Sequence, residues 1–444
     1  MKSQTVIGPE DVHSVIGSRM LADGLDIVLD LEKSKGVRIY DSKKGRFMLD
    51  FFGFFASNPV GMNHPGMFDP EFLEELKLAA LTKVTNSDIY TKQMAEFVDT
   101  FSRQSTPDYM DYFFFVSGGA LAVENGLKAA FDWKVRKNMM NGETGVVGTK
   151  IMHLKEAFHG RSGYTMSLTN THDPRKTMYF PKFDWPRVTN PKMKFPVSEK
   201  NTKDVEELEN KSIAEMESYF ARFKNDIAAF IMEPIQGEGG DNQFRKEYFH
   251  RVEKIVKENN SLFMVDEVQS GMGVTGKWWA HQHYGVKPDL LAFGKKSQVC
   301  GIMAGSKIDE VKDNVFKVSS RINSTWGGNL VDMVRAKRYI EIMVEESLIK
   351  NAENMGKILV NELNSLSSDF PDLVTNPRGV GLMDAFDLKS EKLRDEFFDR
   401  MYSKGVLLLK AGELTIRLRP ALILSQNDIN EFIGISREVL KQMK

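Results

Sequence analysis

An aspartate and a lysine each follow a short apolar run in this chain. Leu262 to Val265 leads into Asp266-Glu267-Val268-Gln269, and Leu290 to Phe293 leads into Gly294-Lys295-Lys296. If both runs are buried strands, acid and amine sit at strand C-termini, where open α/β sheets place their ligands. A carboxylate there can keep a ring nitrogen protonated, and a lysine can serve as nucleophile and proton carrier. A third piece, Ser117-Gly118-Gly119-Ala120, lies between an apolar run and a helical pattern. Free N–H groups at such a helix start can hold a phosphate.

Other motifs carry less. Gly271-Met272-Gly273-Val274-Thr275-Gly276 has the letters of a dinucleotide-binding loop. However, Asp266 to Gln269 intervene between strand and glycines, and no acid follows at the required distance. With Lys277 the same glycines approach a P-loop, but Trp278 replaces the Ser/Thr that would hold magnesium. A glycine-rich turn is expected. His281 and His283 are two apart and share no helix face, so partly exposed histidines are expected and no metal site. Cys300 is the only cysteine. It can form neither an internal disulfide nor a cysteine-based zinc site, and reads as a small buried hydrophobe.

The elements that must position these residues are legible from periodicity. Tyr112 to Val116, Lys150 to Leu154, Ala228 to Met232, Leu262 to Val265 and Leu290 to Phe293 read as buried strands. Ala120 to Val135 and Lys246 to Asn259 have the helical period, so strands alternate with helices and the sheet is mostly parallel. Val37 to Asp41 and Arg46 to Asp50 form a hairpin turning over 42–45, and the charged, proline-punctuated span 182–211 is expected to cross the surface. From about Gly328 helices dominate (329–345, 351–366, 392–403, 427–443), with short strands at 406–409 and 414–418. The expected fold is α/β: a large domain over 65–328 with a mostly parallel sheet flanked by helices, and a smaller α+β domain over 329–444 joined by 1–64.

Composition narrows the class. At roughly 150 residues per domain, 444 residues suggest two or three domains. Sixty Lys+Arg against 61 Asp+Glu leave a net charge of −1, so no whole-protein attraction to nucleic acid or an anionic membrane is expected. No window supplies the roughly eighteen uncharged apolar residues of a spanning helix. Glu10, Asp11, Asp23 and Asp26 near the start, with no short apolar core, argue against a secretory signal. A cytoplasmic protein is the expectation.

A phosphate cradle, a strand-end aspartate and a strand-end lysine together are what pyridoxal 5'-phosphate requires: lysine holds its aldehyde as a Schiff base, and the acid keeps its ring protonated. Longer stretches point the same way. They are Ala56 to Pro65 (ASNPVGMNHP), Phe158-His159-Gly160-Arg161, Glu233 to Gly240 (EPIQGEGG), Asp266 to Gly271 (DEVQSG), Thr325 to Asn329 (TWGGN) and Arg417 to Leu422 (RLRPAL). On these the chain resembles the class III (ornithine/GABA-type) pyridoxal-phosphate aminotransferases over nearly its whole length. The resemblance implies a fold type I transferase. Two stretches depart from the common pattern, Ser117 to Asn125 (SGGALAVEN) and Gly294 to Gly301 (GKKSQVCG). With Ser320 to Thr325 (SRINST), they resemble the lysine ε-aminotransferase branch.

The resemblance also implies roles. Lys295, six positions after Asp289 as the family lysine is, would carry the cofactor in preference to Lys296. Asp266 would pair with the pyridine nitrogen, Gln269 would contact the ring hydroxyl, and Phe158 would stack on the ring. Gly119 and Ala120 would bind phosphate, and Thr325 would reach the phosphate of the neighbouring subunit, making a homodimer with sites at its interface. Arg161 would hold the distal carboxylate, of L-lysine or of glutamate. Arg417 would hold the α-carboxylate of glutamate or 2-oxoglutarate beside the cofactor, and Glu238 would neutralise Arg417 when lysine is bound and swing aside for glutamate. The rival expectations are ornithine or GABA ω-transamination, and a racemase or aminomutase that needs no oxo-acid.

Overall fold

The computed structural model describes residues 6–444. Its strands, in chain order, are β1 (Leu29–Lys35), β2 (Arg38–Asp41), β3 (Arg46–Asp50), β4 (Tyr112–Val116), β5 (Lys150–Leu154), β6 (Arg187–Val188), β7 (Ile227–Met232) and β8 (Leu262–Asp266). They continue with β9 (Leu290–Phe293), β10 (Cys300–Ala304), β11 (Val374–Val380), β12 (Met383–Leu388), β13 (Val406–Leu407), β14 (Leu409–Ala411) and β15 (Thr415–Leu418).

Seven of them form the central sheet in the order β4-β10-β9-β8-β7-β5-β6. From β9 to β6 the neighbours are parallel, and β10 runs antiparallel to both β9 and β4. Its inner strands are apolar on both faces. Phe230, Phe263 and Phe293 enter one core, while Ile231, Met264 and Ala292 enter the other, with Leu127 and Trp133 of the helix Gly119–Met140. This double burial is why β7, β8 and β9 are continuous apolar runs in the sequence.

Two four-stranded sheets complete the fold, β11-β12-β15-β14 and β1-β2-β3-β13. The second joins the first strands of the chain to a strand near its end, because β13 pairs in parallel with β3. A third core, including Leu359, Leu363, Phe386, Phe397, Leu418 and Phe432, lies beneath the C-terminal helices and also takes in Phe51.

One expectation holds only in part. Much of the span 182–211 is exposed, but Trp185, Val188, Thr189 and Asn190 are buried, β6 lies within it, and the helix Glu199–Arg222 begins there. Its apolar stripe of Val205, Ile213, Met216 and Phe220 is diluted by acids and lysines, which hides the period. Among the described residues no helix is long and apolar enough to cross a membrane.

Candidate active site

Strand β9 ends at Phe293, and the chain then turns sharply. Lys295 has φ +52° and Gln298 φ +60°, both in the left-handed region that non-glycine residues seldom occupy. The turn is pinned by Gln298, whose Nε2 donates to Ser57 O (2.7 Å) and to Lys295 O (3.1 Å). It sends adjacent lysines to different places. Lys296 is buried and donates to Ala56 O at 2.7 Å. Lys295 instead lines a cavity of about 350 Å³ at the strand ends. Burial pushes its pKa down, with Asp266 opposing the shift, so more of its amine is in the nucleophilic form.

Asp266 is the last residue of β8 and lines the same cavity. Its Oδ1 accepts from Val268 N–H (3.1 Å), and its Oδ2 accepts from His159 Nδ1 (2.8 Å). Glu233 lines the cavity as well, and its carboxyl accepts from Phe158 N–H (2.9 Å) and Gly237 N–H (3.0 Å). Burial pushes Glu233 up to about 7, with Asp266 nearby adding to the shift and His159 opposing it. Neither His159 nor Glu233 carries a role in the sequence reading. His159 stands beside Phe158, but its partner lies more than a hundred residues away, where no local pattern can reveal it.

The helix Gly119–Met140 starts at the cavity without a side-chain cap. Gly118 precedes it at φ +114°, a conformation that favours glycine. A Cβ on Gly119 would come within 2.8 Å of Val268 Cγ1, so glycine lets the helix start and the β8 loop close up together. Gly119, Ala120 and Phe158 all line the cavity.

Two arginines of β15 and its end address the other wall. Arg417 lies on β15 and Arg419 one residue past its end. Arg419 is fully buried, pairs with Asp241, and donates from Nε (3.1 Å) and Nη2 (3.0 Å) to Gln269 Oε1. Gln269 is thereby fixed beside Asp266. Arg417, 2% exposed, donates from Nη2 to Glu238 Oε2 at 2.7 Å, while its Nε and Nη1 are buried without a partner. Burial would raise the pKa of Glu238, but Arg417 and Lys176 together outweigh it and hold the carboxyl below its usual range. Arg161 lines the cavity from its exposed side, and its Nε donates to Lys176 O (3.2 Å).

Nine of the ten residues singled out in the sequence therefore converge: Gly119, Ala120, Phe158, Arg161, Glu238, Asp266, Gln269 and Lys295 line the cavity, and Arg417 is bonded to one of them. Thr325 does not. It is exposed, and its carbonyl accepts from Ser87 Oγ (3.1 Å). Two expectations outside this set need correction. Cys300 is no mere core residue: it opens β10 and lines the cavity, its thiol pushed up by burial. His281 is fully buried rather than partly exposed, because Glu267 Oε1 accepts from both its backbone N–H and its Nδ1 at 2.8 Å. The 271–276 glycines do form a turn, with Gly273 and Gly276 against Met343, Ile349 and Glu353.

The order of these parts along the chain is that of a known family. A family model described as aminotransferase class-III matches residues 20–440. The chain belongs to the class-III aminotransferases. An L-lysine-epsilon aminotransferase of Mycobacterium tuberculosis is 50% identical over 433 residues, covering 97% of this chain and 96% of that one. The protein of that name from Streptomyces clavuligerus is 47% identical, covering 95% and 92%. The solved structure of a lysine aminotransferase from M. tuberculosis superposes with a TM-score of 0.96 at 49% identity, over 99% of this chain and all of that one. The fold is accordingly that of fold type I transferases, and the cofactor of this class-III aminotransferase is pyridoxal phosphate. The site fits that group: an uncapped helix start for the phosphate, a buried acid held by His159 for the ring nitrogen, and a lysine at the cavity.

Proposed function

We propose that this aminotransferase moves the ε-amino group of L-lysine to 2-oxoglutarate, giving 2-aminoadipate 6-semialdehyde and glutamate. The semialdehyde then cyclises to piperideine-6-carboxylate, since amine and aldehyde share one molecule at ring-forming distance. The observation that carries the reading is the Glu238 carboxylate on Arg417. A substrate that offers its terminal amine brings no carboxylate to Arg417, and a buried arginine without an anion is costly. Glu238 supplies that anion from within the chain. When glutamate or 2-oxoglutarate binds, its α-carboxylate can form a bidentate pair with Arg417 through Nη2 and one of the idle nitrogens, Nε or Nη1, once Glu238 moves off Nη2. The relatives that act on lysine favour this reading over ornithine or GABA.

When bound, pyridoxal phosphate supplies the carbonyl that takes up the amino group and the ring that accepts the electrons left on the substrate carbon. The chain does the rest. Lys295 Nζ takes the proton from the carbon bearing the transferred amine, and burial keeps that nitrogen unprotonated more of the time. Asp266, oriented by His159, holds a proton at the pyridine nitrogen. Gln269, fixed by Arg419, meets the ring hydroxyl, and Phe158 covers the ring. Gly119 and Ala120 bind the phosphate through backbone N–H groups. Arg161 takes the distal carboxylate of either substrate. The proposal includes a cytoplasmic homodimer, in which Thr325, outside the cavity of its own chain, completes the partner's phosphate site. It also assigns cofactor binding to a large domain, 65–328, and Arg417 to a small one, 329–444 with 1–64.

The test is to incubate the enzyme with 2-oxoglutarate and L-lysine carrying ¹⁵N at the ε position. Label is expected in glutamate. Label left in the lysine-derived product would mean α-transamination. Turnover without an oxo-acid would favour a racemase or aminomutase.

A further inference from the structure

The Glu238 carboxylate has a second cationic partner, and the mechanism above leaves it without a task. Lys176 closes a short turn, Pro174–Lys176, which Asp173 caps by accepting from Arg175 N–H (3.1 Å). Its ammonium pairs with Glu238 Oε1, whereas Arg417 holds Oε2. The same ammonium lies 5.9 Å from the centre of the Phe158 ring, and the Lys176 carbonyl accepts from Arg161 Nε. One residue thus touches the movable carboxylate, the ring-covering phenylalanine and the distal arginine.

We propose that Lys176 is a positioning residue that keeps hold of Glu238 when it leaves Arg417, and so favours the dicarboxylate half of the reaction. This rests on the two-substrate reading above. The two oxygens of Glu238 sit on two different cations, so a side-chain rotation can free Oε2 from Arg417 while Oε1 stays on Lys176. The Glu238 side chain is only 23% exposed. Without Lys176, its departure from Arg417 would leave an enclosed carboxylate with no cation, and such a charge is penalised far more than a paired one. With lysine bound, Glu238 keeps Arg417 whether or not Lys176 is present. Removal of Lys176 therefore weighs on one half-reaction more than on the other.

The discriminating ligand is glutarate, a five-carbon dicarboxylate with no group to transfer, titrated calorimetrically into the holoenzyme. For Lys176→Ala its affinity is expected to fall about three- to tenfold, the range of a partly exposed ion pair. Single-turnover assays of each half-reaction should show a matching rise in the half-saturating L-glutamate concentration at unchanged limiting rate, with that for L-lysine moving less than about twofold. Lys176→Arg should restore glutarate binding. In a Glu238→Ala background, Lys176→Ala should change glutarate affinity by less than about twofold, since the group it holds is gone. Equal losses for lysine and glutamate, or an undiminished effect of Lys176→Ala in the Glu238→Ala background, would overturn the proposal. Should the parent enzyme not react with L-lysine, the proposed function fails, and the glutarate titrations still decide the role of Lys176.

Discussion

Lys295 and Lys296 are chemically identical neighbours, and only their surroundings separate them. Lys296 is spent on Ala56 O, and burial together with the nearby Arg419 and Lys295 charges pushes its pKa well down. Lys295 faces the cavity with Asp266. Borohydride reduction of the loaded enzyme should therefore fix pyridoxal phosphate on the peptide that carries Lys295. Fixation should survive Lys296→Ala and vanish in Lys295→Ala, whose turnover should drop by roughly 10²- to 10⁴-fold or more with the proton carrier gone. Survival in Lys295→Ala would mean that the wrong lysine has been chosen. At this scale the sequence alone was half legible. Residue type and strand-end position picked out Asp266 and the lysine pair, but choosing within the pair took a family spacing. His159, Glu233, Lys176 and Arg419 act through partners distant in the chain, and no local pattern announces such a contact.

Strands that are buried on both faces announce themselves, and the segments that escaped notice are those that do not. β7, β8 and β9 stand out as apolar runs, whereas β1 is largely polar, β6 is two residues long and β11 contains Pro377. β10 begins with Cys300-Gly301, where a Cβ on Gly301 would strike Phe114 O at 2.3 Å, so close strand packing removes the apolar signal. At the end of β3, Asp50 Oδ1 accepts from Phe52 and Gly53 N–H, both at 2.8 Å. Burial pushes this carboxyl up from 3.8 to about 6, against the pull of those two N–H groups. Between these values the folded chain binds the extra proton, so Asp50 makes stability fall as pH rises through that window and adds no further slope above it. Asparagine offers the same acceptor and does not titrate. Asp50→Asn should thus match the parent near the lower value and exceed it by about 1–3 kcal/mol above the upper one, measured by urea unfolding. A difference that does not vary with pH would mean that the carboxyl titrates as it does in the unfolded chain.

Taken as a whole, the site draws on two sheets: Asp266 and Lys295 belong to the ends of the seven-stranded one, and Arg417 to β15 of a four-stranded one. Thr325 belongs to neither cavity wall of its own chain. If it serves the partner, a dimer of one Lys295→Ala chain and one Thr325→Val chain concentrates both defects in one site and leaves the other intact. Two crippled homodimers, denatured and refolded together, should then recover roughly a quarter of the parental activity by random pairing. No recovery would mean that Thr325 acts within its own chain. The pairing of β3 with β13 has a consequence in time. As the ribosome releases the chain, the N-terminal hairpin emerges first, yet the edge that β13 will cover stays open until almost all the rest has been made. Contacts this distant in sequence close slowly, and an uncovered strand edge invites pairing with other chains. The first sheet to begin is thus among the last to be finished, and the interval between the two events is when a nascent chain is most exposed to aggregation.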